Sequence, residues 1–164
     1  MNKEKNVAKD LTALLLSIRP KYADLIFNGR KTTELRRVRP RIQRGSIILI
    51  YVTSPVKALM GGFRVQKVIQ GSPTYLWRVA GNEAGISKKE FDTYYSGLSI
   101  GFAISASKVW QLKNPIVLDE LKQRWENFTP PQGYRYINLQ EIDENFLPLN
   151  FNKKIRESED RKIL

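Results

Sequence analysis

Between Gly29 and Arg44 the chain gathers the side chains best suited to chemistry on a phosphate-bearing ligand. Arg30, Lys31, Arg36, Arg37, Arg39, Arg41 and Arg44 place seven cations within fifteen residues, with Glu34 the only anion among them. Guanidinium forks suit bidentate contact with phosphate oxygens. Arg36 and the loop from Arg37 to Arg44 therefore read as phosphate contacts, and Glu34 as an acceptor for a base amino group or a ribose hydroxyl. The blander reading of the same charges is an edge strand protected from pairing with another chain. A carboxylate among so many cations suits binding or structural pairing better than proton abstraction.

The residue inventory narrows the chemistry further. The sequence has no histidine and no cysteine. That excludes disulfides, thiolate zinc sites and every triad built on imidazole. Any catalysis falls to Lys, Glu, Asp, Tyr, Ser or Thr. The enzymatic alternative makes Lys31 the nucleophile or base, with Glu34 or Glu83 as its carboxylate partner. No metal site and no cofactor are expected.

Further candidates flank this segment. Arg19 stands at a strand-to-helix junction beside Ser17 and can reach the same site or only decorate the helix start. Thr53 and Ser54 end a strand before Pro55, where hydroxyls can meet a ligand or only shape the turn. Tyr94 and Tyr95 end a capped helix and can stack on a base, although core packing suits at least one of them. Trp77, Trp110 and Trp125 read as core residues.

These groups need elements to hold them. Thr12–Ile18 is a short continuous apolar run that reads as a buried strand. Pro20 suits the first turn of a helix that continues over 21–28, and Gly29 is placed to end it in a left-handed conformation. Lys31 to Arg36 reads as an edge strand, on whose regular alternation Lys31 and Glu34 project to opposite faces. The two share one cleft only where Gly29 to Lys31 is still turning, and that irregularity is expected. Strands follow over 46–52 and 56–69, the second with a bulge at Gly61-Gly62. Helices follow over 73–80 and 88–96, the latter opened by a capping box of Ser87 and Glu90. A strand over 99–110, a helix over 119–126, a short strand over 134–137 and a final helix from Asn138 to about Leu147 complete the chain. This pattern lacks regular βαβ alternation and argues for an α+β barrel.

The segment from Ser17, S-I-R-P-K-Y-A-D-L-I-F-N-G-R-K-T-T-E-L-R, resembles the signature of ASCH domains in the PUA-like superfamily. That signature sets G-x-K-x-x-E-x-R after a strand and a short helix, met here by Gly29, Lys31, Glu34 and Arg36. The strand and turn I-I-L-I-Y-V-T-S-P, the helix end F-D-T-Y-Y-S-G and the closing P-P-Q-G-Y-R-Y-I are similar too, so the resemblance spans about 12–140. It implies a small β-barrel of five to six mostly antiparallel strands with short peripheral helices. It also implies a cleft lined by the Lys, Glu and Arg of the motif. Members of the wider superfamily bind RNA or modified bases. Some relatives resemble amidohydrolases acting on acetylated cytidine, or ribonucleases, and in the amidohydrolases a Thr stands where this chain has Glu34.

Length and charge agree with one domain and an anionic partner. The 164 residues carry 28 Lys and Arg against 16 Asp and Glu, a formal charge of +12. Such an excess favours polyanions, because each cation meeting a phosphate releases condensed counterions. The expected organisation is a domain over 11–150 between a flexible tail at 1–10 and a charged tail at 151–164. The expected partner is RNA or a modified nucleotide, with DNA possible and a role as a regulatory adaptor ranked last. No apolar run approaches the roughly 20 residues of a membrane span, so a cytoplasmic location is expected.

Overall fold

The computed structural model describes residues 12–138, 141–142 and 144–148. The expected tails at 1–10 and 151–164 lie outside these residues. Six strands form one sheet: β1 (Thr12–Ile18), β2 (Thr33–Arg36), β3 (Ile47–Val52), β4 (Ala58–Gly71), β5 (Gly101–Val117) and β6 (Tyr134–Asn138), in the order β2-β5-β4-β3-β1-β6. Every neighbouring pair is antiparallel except β1 and β3, which run parallel. Among the described residues, four short helices surround it: α1 (Pro20–Phe27), α2 (Pro73–Ala80), α3 (Lys88–Tyr95) and α4 (Leu118–Arg124). The result is the expected α+β architecture, a sheet curled into a half-barrel.

The continuous apolar runs of β1 and β3 follow from burial on both faces. Ala13, Leu15, Ile47, Leu49 and Tyr51 pack with Leu121, Trp125, Phe128 and Phe146 on the α4 side. Leu14, Leu16, Ile48 and Ile50 face the other way and pack with Ala23 and Ile26 of α1. A third cluster joins Leu35 of β2 and Ala103 of β5 to Leu76, Phe91 and Tyr95, and so seats α2 and α3 against the far end of the sheet. Burying one such aliphatic side chain stabilises by about 1.5–3 kcal/mol, so these contacts fix where the helices lie.

Local signals set the ends of the elements. Pro20 opens α1, and Gly29 follows it at φ +80°. Ser72 caps α2 through the Tyr75 N–H, and Ser87 with Glu90 forms the expected capping box on α3. The pairing of β3, β4 and β5 shifts register around Gly61 and Gly62, at the expected bulge.

Some expectations need correction. β2 begins at Thr33, not Lys31; α2 ends at Ala80 as expected, and a separate 3-10 turn follows at Gly81–Glu83. β5 does not end near Trp110 but continues to Val117, passing Pro115. Its ladder with β4 is interrupted between Gln111 and Ile116, where the register shifts, so the proline displaces no ladder partner there. Of the final helix expected from Asn138, the described residues show only a 3-10 turn at Glu144–Phe146, with Asn138 still in β6. Trp125 donates to the Glu141 carbonyl at 2.9 Å, and Phe146 is fully buried against the Trp125 ring. Tertiary contacts hold these described residues in place.

Candidate functional site

Curling brings the two ends of the sheet toward each other. The Arg36 guanidinium of β2 lies 5.4 Å from the ring centre of Tyr134 on β6. Beside this seam opens a cleft of about 610 Å³. Lys31, Glu34, Leu35 and Arg36 line its floor; Ser17, Ile18, Arg19 and Tyr22 form one wall; Ile86, Lys89, Glu90, Thr93 and Tyr94 form the other.

The floor depends on the turn between α1 and β2. The Lys31 N–H bonds the Leu25 carbonyl at 2.9 Å, so the chain is still leaving α1 at this residue. Lys31 thus enters from the loop and Glu34 from the strand, and their charged atoms stand 3.4 Å apart. Lys31 is only 3% exposed. Its ammonium donates to the Thr33 carbonyl at 2.9 Å and to the Ala84 carbonyl at 2.6 Å, with the Glu34 carboxylate as a third partner. Two carbonyl hydrogen bonds and an ion pair with Glu34 thus hold this buried amine in place.

Gly85 makes that geometry possible. It sits at φ +68°, and a Cβ there would lie 3.1 Å from the Lys31 Cβ. The glycine lets the Gly81–Ala84 turn come close enough to hold Lys31. The other oxygen of Glu34 lies 3.8 Å from Arg36. One acid therefore stands between two cations, its side chain 14% exposed at the floor.

Helix α3 supplies Glu90 and Tyr94 to the cleft wall. Glu90 was legible as a capping residue, and it also faces the cleft and pairs with Lys21 of α1 at 3.7 Å. Hydrogen bonds from the Ser87 backbone and side chain hold its carboxyl below the usual range, with Lys21 adding to the effect. Tyr94 lines the cleft while its hydroxyl donates to the Leu35 carbonyl at 3.0 Å. Burial chiefly raises its pKa, with Arg36 pulling the other way and Glu34 adding to the rise. Tyr22 of α1, which sequence reading did not single out, also lines the cleft, with the Lys31 ammonium 5.8 Å from its ring centre.

The remaining sequence candidates scatter. Tyr95 is no base platform: it is 1% exposed, packs edge-on against Phe91 and Tyr94, and donates to the Phe102 carbonyl at 2.7 Å. Glu83 is exposed, outside the cleft lining, and accepts from the Thr33 hydroxyl at 3.2 Å. Thr53 and Ser54 also lie outside the lining, in a turn where the Thr53 N–H bonds the Ile18 carbonyl at 3.0 Å. Arg30 and Arg44 are exposed. Arg37 donates to the Tyr94 carbonyl, Arg39 to the Gln70 side chain at 2.5 Å, and the Arg41 backbone to the Tyr136 hydroxyl at 2.6 Å. The basic loop is thus a strap tied in turn to α3, β4 and β6, with its cations exposed.

Among the described residues no cluster of acidic side chains could hold a metal ion, and no helix is long and apolar enough to cross a membrane.

Comparison with known proteins places this architecture. Residues 16–130 match the model of the ASCH domain. The chain is 33% identical over 135 residues to an ASCH domain-containing ribonuclease of Zymomonas mobilis, an alignment that spans 82% of this chain and 90% of that protein. It is 31% identical over 125 residues to a large ribosomal subunit protein uL22 of Ureaplasma parvum, spanning 76% of this chain but 39% of that longer protein. Its fold superposes on the crystal structure of ASCH from Zymomonas mobilis with a TM-score of 0.75 at 32% identity, covering 81% of this chain and 91% of that one. In sequence and in its curled half-barrel, the chain belongs to the ASCH domain family.

Proposed function

We propose that the chain binds RNA by taking one unpaired nucleotide into the cleft between α1, α3 and β2. The observation that carries this reading is Glu34, an acid held between Lys31 and Arg36 at the floor of a cleft in a strongly basic chain. A site meant only to attract polyanions has no use for a carboxylate there. An acceptor of fixed position suits a base amino or imino group or a ribose hydroxyl. The volume of about 610 Å³ falls within the roughly 300–1,000 Å³ of small-ligand sites. Tyr22 and Tyr94 offer ring surface, Arg19 and Arg36 suit phosphate oxygens, and Lys31 positions Glu34. The exposed Arg37, Arg39 and Arg44 of the strap, with Arg30, supply long-range attraction.

A second reading, RNA cleavage, is favoured by the name of the Zymomonas mobilis relative. Without histidine, the proton of a ribose 2′-hydroxyl falls to Glu34 as that oxygen bonds to the adjacent phosphorus, Arg36 faces the charge that builds on the phosphate, and the 5′-oxygen leaves with a proton from water. The three acceptors around Lys31 favour a positioning role over a nucleophilic one.

Fluorescence anisotropy with short single-stranded RNA and with DNA of the same sequence tests the binding reading. RNA binding should weaken steeply as salt rises and fall about tenfold or more in Glu34→Ala and Arg36→Ala. No binding at low salt, or affinity indifferent to salt and to both substitutions, overturns it. Incubation of labelled RNA, and separately of N4-acetylcytidine, with wild type and Glu34→Gln decides whether chemistry follows.

A further inference from the structure

A chain of guanidinium groups and rings continues from the cleft along the seam of the half-barrel. Arg36 lies 5.4 Å from the Tyr134 ring centre; the Tyr134 and Tyr136 rings meet edge to face at 5.7 Å; Arg41 lies 5.6 Å from the Tyr136 ring centre. Arg36 belongs to both the cleft lining and this series. The far member, Arg41, is exposed, while its backbone N–H bonds the Tyr136 hydroxyl and fixes the strap against β6. Tyr134 and Tyr136 share one side of β6 because they alternate along it, opposite Leu16 and Leu14 of β1.

We infer that this Arg36–Tyr134–Tyr136–Arg41 series is a second nucleotide subsite, so that the ligand is single-stranded RNA and not a free nucleotide. The inference rests on the cleft reading and extends it. Bases of single strands stack on aromatic rings and on guanidinium planes, and such contacts tolerate any base. A nucleotide held on Glu34 and Arg36 leaves its neighbour along the strand beside Arg36, where the series begins. Arg41 carries both a planar face and a charge at the far end, which suits the neighbouring base and its phosphate. A second cleft, beside Trp110 and Leu112, lies against β5 and α4 and shares no residue with this seam.

Calorimetric titration with the four nucleoside 5′-monophosphates and with a six-nucleotide mixed-sequence RNA tests the subsite. The hexamer should bind roughly tenfold or more tighter than the best monophosphate. Arg41→Gln and Tyr136→Leu should lose most of that gain while monophosphate affinity stays as in wild type. Arg41→Lys keeps the charge without the planar face and should also lose most of it. Circular dichroism of each variant checks that the fold is kept; the exposed Arg41 variants leave the test intact if Tyr136→Leu does not fold. Equal affinity for hexamer and monophosphate sinks the subsite alone and leaves the cleft reading standing. So does a gain retained in Arg41→Lys, or variants that weaken both ligands alike. Hexamer binding that ignores Glu34→Ala but is lost in Arg41→Gln and Arg41→Lys removes the cleft reading and keeps the stacking surface. Binding of neither ligand overturns both.

Discussion

Lys31 and Glu34 stand 3.4 Å apart at their charged atoms although a regular strand would send them to opposite faces. The contact exists because Lys31 precedes β2 and is held by the Leu25, Thr33 and Ala84 carbonyls. Lys31→Met removes the charge and leaves two carbonyls and Glu34 without their partner. Breaking a buried pair from one side costs about 3–5 kcal/mol, and urea denaturation should show a loss near the lower end, because Glu34 keeps Arg36. A loss within experimental error shows instead that the ammonium does not hold this turn.

Gly85 sets the distance between that turn and Lys31. In Gly85→Ala the added Cβ meets Lys31 at about the 3.1 Å seen for an ideal Cβ, and the backbone must hold a left-handed φ. The expected result is a destabilisation of about 1 kcal/mol or more, together with weaker RNA binding as Lys31 and Glu34 shift. Unchanged thermal unfolding would mean that the turn relaxes at no cost.

Adjacent tyrosines should separate stability from binding. Tyr95→Phe removes a buried hydroxyl from the Phe102 carbonyl, for an expected loss of about 1–2 kcal/mol with RNA affinity unchanged. Tyr94→Leu removes a ring from the cleft wall and should weaken RNA binding more than it weakens the fold. The opposite pattern in anisotropy and unfolding curves reverses these assignments. Burial also holds the Tyr95 pKa far above its ordinary value. A raised folded pKa gives stability that is present below the unfolded pKa and lost as pH rises past it, so unfolding should become easier above about pH 10.

Glu90 gives the opposite pH dependence. Its carboxyl is held low by Ser87 and Lys21, so its contribution is present above the unfolded pKa and fades as pH falls through the folded one. Ser87→Ala should cost about 1 kcal/mol and let the Glu90 pKa rise toward the ordinary carboxylate range in an NMR titration. A Glu90 titration that does not move assigns the low value to something other than the cap.

Local sequence carried much of the fold. Strand β1, the proline-led start of α1, the glycine after its end, the caps on α2 and α3, and the bulge at Gly61 and Gly62 all rest on neighbours in the chain, and were readable from it. So was the motif of Gly29, Lys31, Glu34 and Arg36, because its members sit within eight residues of each other. The run of β5 past Pro115 was not readable, since nothing local says that a proline will fall where the ladder is interrupted. The segment after Asn138 misled for the related reason that its capping signal competes with pairing to β1 and with burial of Phe146.

Residue types alone determined that imidazole and thiolate chemistry are absent and that an acid is set among cations. Only the tertiary structure decided which residues surround that acid. Tyr94 and Tyr95 are neighbours in sequence, yet the helix turns one to the cleft and the other into the core. Glu90 lines the cleft beside Lys21 of α1, whereas the Glu83 side chain lies outside the lining and accepts from the Thr33 hydroxyl. The arginine run splits between Arg36 at the cleft and a strap tied to three distant elements. Such choices depend on how a curled sheet brings β2 and β6 face to face, and that closure is made by contacts between residues about a hundred positions apart.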